Sequence, residues 1–352
     1  MKLTFVGDIF PGNLPYNRGC GVAALDFSEI GRESYVSRLQ NIVGDTDFLC
    51  GNLESPVLQS SSFSVDSQFA GHADFVKLLM ESGFNLVSIA NNHILEHGPS
   101  GLDSTVTLLS ESGIGYVGLD RKPFLMEKDR QNLAFISYNA IDNDVYDKYR
   151  VSELSLDAVE EDMRSLRQEG ADWVFVILHW GDEFISRPSA DQIDFAHRLI
   201  DSGADFIIST HPHVVQPVER YHNGLICYSL GNFIFDMCIP RITKVGMVLE
   251  LTLSGGTFTY QEKFVEIRKD CFPFLIKNVS QVRKKLDSQL KMMEESASRE
   301  YSEKYVREKK KKRLMKRISE KWLLLKNWHK YSPEVRSDFK KYYLSKFGYG
   351  KD

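Results

Sequence analysis

Short apolar runs alternate with amphipathic stretches along the chain, and five of these runs stop at residues able to hold a metal ion. LTFVG ends at Asp8, and DFLCGN leads to Glu54. FNLVSIA leads to Asn91, Asn92 and His93, DWVFVIL to His179, and DFIIST to His211 and His213. β-rich runs separated by helical patterns predict a parallel sheet wrapped by helices. The carboxyl ends of its strands would share one edge, which is where open α/β sheets bind ligands. Two carboxylates, an amide and four imidazoles, scattered over about two hundred positions, would then converge.

The pattern predicts helices over 28–43, 72–82, 100–112, 155–169 and 190–202, with Gly113, Gly170 and Gly203 ending three of them. Strands are expected over 47–52, 85–90, 115–118, 132–137, 173–178, 206–209 and 225–228. The repeated order of helix, glycine and apolar strand points to β-α-β units. A hairpin over 245–267, turning at Ser254, Gly255 and Gly256, completes the sheet region. Residues 11–27, punctuated by Pro11, Gly12, Pro15, Gly19 and Gly21, read as a loop, and the serine-rich stretch 60–67 as an exposed one.

With 352 residues, 42% of them hydrophobic, the chain can bury a core and still carry an appendage. The net charge of -4 divides unevenly, at roughly -17 over 1–276 and roughly +13 over 277–352. The expected division is therefore a domain over 1–276 and a basic, mainly helical extension over 277–352. The extension is most basic at Lys309, Lys310, Lys311, Lys312 and Arg313, and most apolar from Trp322 to Trp328. Three readings of it follow. It folds back on the acidic domain as a solvated helical extension. Alternatively it attaches to an anionic membrane face, where each basic residue contributes about 1 kcal/mol and Trp322 and Trp328 sit at the interface. Nucleic-acid binding through the lysine run ranks last.

Five widely spaced cysteines, Cys20, Cys50, Cys227, Cys238 and Cys271, form no CxxC pair and are expected as reduced, mostly buried thiols. The chain enters its first strand at once, with no space for a signal peptide, and no apolar run approaches the roughly 18 residues of a membrane span. The expected location is cytoplasmic, with peripheral contact at the inner membrane face if the extension binds there.

Each candidate ligand has a blander reading by itself: a turn aspartate, a glutamate after a strand, a hydrogen-bonded core histidine. Recurrence at five strand ends favours a metal site. Asp8 can reach a cation over the sheet edge, and Glu54 has two oxygens with which to bridge two cations. Asn91, Asn92 and His93 follow an apolar run, where polar groups are unfavourable to bury without partners. The proline in His211-Pro212-His213 restricts the backbone and can present both rings to one cluster. Two divalent ions about 3.5 to 4 Å apart can activate a shared water and stabilise a phosphate oxygen. Imidazole and carboxylate together suit zinc, iron or manganese better than calcium. His93 is the candidate to stay unligated and protonate a leaving group, since imidazole titrates near neutral pH. No Gly-x-Ser-x-Gly elbow or phosphate-binding P-loop is present.

These motifs resemble the CapA-like proteins of bacterial capsule and poly-gamma-glutamate biosynthesis, a branch of the calcineurin-like metallophosphoesterase superfamily. The resemblance lies in Gly7-Asp8, Asn52-Leu53-Glu54, Ala90-Asn91-Asn92-His93, His179-Trp180-Gly181-Asp182-Glu183, His211 to Glu219, and Tyr228 to Phe233, over about residues 1–270. It implies a four-layer α-β-β-α sandwich of the metallophosphoesterase type. It also implies one metal held by Asn92, His179 and His211 and another by Asp8 and His213, with Glu54 bridging and His93 assisting the leaving group.

The chain departs from the superfamily at the first motif, where Asp8-Ile9-Phe10 replaces Asp-x-His. Asn13 or Asn52 could supply the lost ligand. The expectation is one tight and one weaker site for Mn, Fe or Zn. Ser229, Asn232 and Asp236 either line the cleft or satisfy backbone groups, and Arg187 and Arg241 are candidate clamps for an anionic substrate. Two functions compete. One is a metal-dependent, phosphoesterase-like hydrolase acting on an anionic cell-envelope polymer or its precursor. The other is a non-catalytic metal-binding assembly factor working with capsule synthesis proteins.

Overall fold

The computed structural model describes residues 1–142, 149–237 and 239–346. The chain opens with β1 (Lys2–Ile9), α1 (Glu29–Val43) and β2 (Phe48–Leu53). Two short strands, β3 (Val57–Leu58) and β4 (Gly71–His72), precede α2 (Asp74–Glu81), β5 (Leu86–Ser88), α3 (Gly98–Glu111) and β6 (Gly115–Val117). A hairpin of β7 (Phe124–Lys128) and β8 (Gln131–Asn139) leads into α4 (Leu156–Gln168), β9 (Trp173–His179), α5 (Ala190–Asp201) and β10 (Phe206–Thr210). There follow β11 (Val218–Tyr221), β12 (Gly224–Cys227), β13 (Asn232–Ile234), β14 (Val245–Ser254), β15 (Thr257–Ile267) and β16 (Pro273–Leu275). The extension holds α6 (Ser280–Met293), α7 (Arg299–Asn327) and α8 (Pro333–Lys346).

The expectation of one parallel sheet is corrected in favour of the two-sheet sandwich that the resemblance implied: the strands form two mixed sheets, with β3 and β4 as a separate two-stranded pair. The first runs β16-β15-β14-β1-β2-β5-β6, with β13 pairing alongside β1, and the second runs β11-β12-β10-β9-β8-β7. Each has a parallel run, β1-β2-β5-β6 in one and β12-β10-β9-β8 in the other; the first adds antiparallel strands at one margin and the second at both. Strands β3, β4, β7, β11, β13 and β16 were not visible in the sequence pattern. β7 reads FLMEK and alternates between half-buried and exposed positions, so it lacks the apolar run that marks its neighbours.

Side-chain alternation explains the layering. Neighbouring residues of a strand point to opposite faces, and here both faces are buried, which is why the strands read as continuous apolar runs. Phe5, Phe48, Leu86, Phe175 and Ile177 point between the sheets, where Phe135, Phe175 and Phe206 stack at 4.6 Å centroid spacings. Val6, Leu49 and Val87 point outward beneath Leu39 of α1, Phe75 of α2 and Leu109 of α3. Val174 and Val176 point the other way, beneath Val159 and Met163 of α4 and Leu199 of α5. Three apolar interfaces separate four layers in the order α-β-β-α. Caps set helix starts at Ser28, which accepts from Gly31 N, and at Ser189, which forms a reciprocal box with Gln192.

The extension lies against this sandwich. Leu286 of α6 joins the core between the sheets, and Tyr301 of α7 joins the core under α4 and α5. Further along α7, Leu323 packs with Phe10, Phe184 and Phe235, and Asn327 donates to Tyr16 O at 2.9 Å. Ion pairs Arg187–Glu308, Lys309–Asp182 and Lys316–Glu183 join acidic and basic parts of the chain. Cys50 and Cys227 are buried thiols, Cys20 and Cys271 are half-buried, and Cys238 lies outside the described residues.

Candidate metal centre

Both sheets deliver ligands to one place. Asp8 near the end of β1 lies in register with Asn52 on β2 and Asn232 on β13, while β9 and β10 pair Thr210 with His179. The close approach of β1 to the segment before β13 requires Gly7, because a Cβ there would lie 1.8 Å from Gly231 O. Asp8 N donates to that same carbonyl at 2.9 Å. Beyond β10 the backbone turns sharply, with φ of 94° at His211 and 55° at His213. Such values are unfavourable for residues with a Cβ and mark strain held by the surrounding fold. They flank Pro212 and turn both imidazoles toward Asp8 and Glu54.

The result is two groups of candidate ligands sharing one carboxylate. Glu54, His179 and His211 form one, and Asp8, Glu54 and His213 the other, with ligand atoms in each within 4.8 Å of one another. In the first group His179 Nε2 lies 2.8 Å from Asn92 Oδ1, 3.2 Å from His211 Nδ1 and 3.6 Å from Glu54 Oε1. In the second, His213 Nδ1 lies 3.3 Å from Asp8 Oδ2 and its Nε2 3.7 Å from Glu54 Oε1. Glu54 is fully buried, and among the described residues neither of its oxygens has a hydrogen-bond partner.

Burial, reinforced by Asp8, pushes the Glu54 carboxyl well up. Burial likewise pushes His179 well down and His211 down to about 4, so both imidazoles are neutral and offer lone pairs. A buried carboxylate without donors is strongly unfavourable unless a cation faces it. The donor set of neutral imidazoles, carboxylates and an amide oxygen fits divalent cations.

Surrounding amides hold the candidate ligands in place. Asn52 Nδ2 donates to Asp8 Oδ1 at 2.8 Å and meets His179 Nδ1 at 3.2 Å. Asn91 Nδ2 donates to Leu53 O at 2.8 Å and to Asn52 Oδ1 at 3.2 Å, and Asn232 Oδ1 meets His213 Nδ1 at 2.9 Å. His93 stands beside the ligands, its Nδ1 2.9 Å from Glu96 Oε1 and its ring stacked at 4.6 Å on Phe69.

Other sequence candidates lie elsewhere. Asn13 donates to Val65 O and Ser67 O and accepts from Gly21 N, so its amide serves the loop rather than the cluster. Ser229 accepts from Gly231 N, and Asp236 accepts from Leu14 N, so both satisfy backbone groups. Arg187 pairs with Glu308, and Arg241 is exposed on a short turn. Phe10, in place of the expected histidine, is fully buried and stacks on Phe235 at 4.6 Å.

The positive group beside the cluster is Lys316 of α7, which the sequence reading missed. A cavity of about 250 Å³ opens over the site, its lining including Asn92, His93, Glu183, His213, Lys316 and Glu320. Lys316 Nζ lies 2.5 Å from Glu183 Oε2. Burial pushes the Glu183 carboxyl up, but Lys316, His213 and His211 together outweigh this and hold it at about 2.

A profile of the family described as "Bacterial capsule synthesis protein PGA_cap" matches residues 2–237. The chain belongs to that family. It is 28% identical over 287 residues to "Capsule biosynthesis protein CapA" of Bacillus anthracis, covering 73% of this chain. This chain spans only 65% of that relative's length. It is 26% identical over 282 residues to "PGA biosynthesis protein CapA" of Bacillus subtilis (strain 168), covering 76% of this chain and 72% of the relative. Among solved structures, the calcineurin-like phosphoesterase YfkN from Bacillus subtilis aligns with 83% of this chain and 98% of its own, at 13% identity and a TM-score of 0.46. So loose a likeness says nothing about activity. The family match ends at residue 237, so α7, which contributes Lys316, Glu320 and Leu323 to the cavity wall, lies beyond it. Among the described residues no helix is long and apolar enough to cross a membrane.

Proposed function

We propose that the chain is a divalent-metal-dependent, phosphoesterase-like hydrolase in capsule or poly-gamma-glutamate synthesis, acting on an anionic cell-envelope polymer or its precursor. What supports this reading most is Glu54, a buried carboxylate without hydrogen-bond partners among the described residues, set between two ligand groups. In this reading Asn92, His179, His211 and Glu54 hold one cation, and Asp8, His213 and Glu54 hold another. Mn, Fe or Zn there would supply Lewis acidity toward an ester oxygen and activate water near neutral pH.

The chain's own groups do the rest. Asn52 and Asn232 fix Asp8 and His213, and Glu96 fixes the His93 ring through Nδ1. His93 then holds a proton at Nε2 for the departing oxygen. The test is hydrolysis of a generic phosphodiester with added manganese, comparing the full chain with His93→Ala and His211→Ala. The expected outcome is a fall in kcat of roughly 10²-fold or more for His93→Ala, the usual range for loss of a general acid, and loss of metal-stimulated turnover for His211→Ala. Activity surviving both substitutions rejects the site.

One observation favours a second reading, a non-catalytic assembly factor: Phe10 fills the first-motif position with a buried ring that cannot ligate. A protein that retains metal yet turns over no ester under any metal supports that alternative.

A further inference from the structure

Helix α7 has two working faces. Tyr305, Lys316 and Leu323 turn inward, toward Asp182, Glu183 and the Phe10 cluster. Leu314, Met315, Ile318, Trp322 and Leu325 turn outward and are 60%, 48%, 60%, 51% and 75% exposed. At 100° per residue these five fall within about 100° of arc, one continuous apolar stripe on a helix otherwise dense in charge. So many large apolar side chains are not left in water along one stripe without a reason.

Basic residues frame the stripe. Lys310, Arg317 and Lys321 lie along one margin, Lys326 along the other and Lys311 within it, all exposed. Lys326 Nζ also sits 4.8 Å over the Trp322 ring. An apolar face bordered by lysine and arginine, with a tryptophan among them, fits the interface of an anionic bilayer, where rings and aliphatic groups enter the headgroup boundary and cations remain at the phosphates. A second copy meeting this chain through the same face would oppose like charges. A nucleic acid would engage the cations and leave the stripe in water.

We propose that the outer face of α7 docks in the plane of an anionic lipid surface. The helix is about 10–12 Å across, and its inner face walls the metal-site cavity, so docking would hold that cavity about one helix diameter from the headgroups. The inference stands on α7 alone and does not depend on the metal.

The full chain should co-sediment with phosphatidylglycerol-phosphatidylcholine vesicles, not with phosphatidylcholine alone, and binding should weaken as salt rises. Ile318→Glu and Trp322→Glu should each lower the partition coefficient at least about tenfold. Both positions are exposed, so circular dichroism and the thermal midpoint should stay unchanged. Lys310→Glu with Lys321→Glu should weaken binding mainly at low salt. The proposal is overturned if the wild-type chain stays in the supernatant with anionic vesicles, or if the glutamate variants bind as well as wild type. A dimer that Ile318→Glu dissociates, or oligonucleotide binding that it leaves intact, likewise overturns the proposal when vesicle binding is absent.

Discussion

Asp236 shows how far a single residue's behaviour depends on contacts the sequence does not display. In the sequence it follows Asn232 by four positions and reads equally as a cleft residue or as a partner for backbone groups; in the fold it is buried, with Leu14 N–H on Oδ2 and no partner for Oδ1 among the described residues. Burial pushes its carboxyl up to about 7, against 3.8 for the ordinary group. The folded state therefore binds a proton that the unfolded state releases between those values. Its contribution to stability is complete below the unfolded pKa and is lost as pH rises through the folded one. Asp236→Asn stays neutral throughout and keeps an oxygen for Leu14. Urea unfolding should show the variant gaining on wild type as pH is raised from about 5 to about 8, by at most roughly 2.5 kcal/mol. A gain that is the same at both pH values would contradict the buried-carboxyl account. The clustered candidate ligands were more legible, because Asp8, Glu54, His179, His211 and His213 each follow an apolar run. Asn13 misled for the converse reason: its amide is consumed by loop carbonyls far along the chain.

At the scale of elements, the sequence displays best what repeats locally. α1, α4 and α5 follow from apolar spacing and caps, and the β14–β15 hairpin turns at Gly255 and Gly256 as its glycines suggest. β13 does not, since three residues after a glycine become a strand only because β1 lies beside them. α7 is the larger case. Its helical character was legible, but its position was not, because Lys316 meets Glu183 across a sequence separation of 133. Substitutions at two positions probe its inner face. Leu323→Ala should destabilise the chain by about 2–5 kcal/mol, as a buried leucine surrounded by Phe10, Phe184 and Phe235. Lys316→Gln should raise KM for an anionic ester more than it lowers kcat, and Lys316→Arg should recover part of the loss. A fall in kcat at unchanged KM would place Lys316 elsewhere in the reaction.

At the scale of the molecule, residues that end apolar runs in the sequence come together in space, though not along one sheet edge. One parallel sheet would have set all the ligands along a single edge. Two sheets packed face to face instead bring Asp8 and Glu54 from one side and His179, His211 and His213 from the other. Local pattern could not distinguish these cases, since a strand buried on both faces reads the same in either. The two-sided arrangement makes cation binding a linkage between the sheets, because a bound ion stabilises only the state in which both are assembled. The two candidate groups differ in the number of donors they offer. His179, His211, Asn92 and Glu54 offer four donors, whereas Asp8 and His213 share Glu54 and have Phe10 where another ligand would stand. The expected outcome is one retained ion and one that titrates, with the thermal midpoint rising in two stages as manganese is added. A site saturated about 100-fold above its dissociation constant contributes about 2.7 kcal/mol, which calorimetry resolves. His211→Ala should lose the retained ion, and Asp8→Asn only the titrating one. Two ions of equal affinity, or both substitutions removing the same ion, would show that the missing histidine does not divide the site.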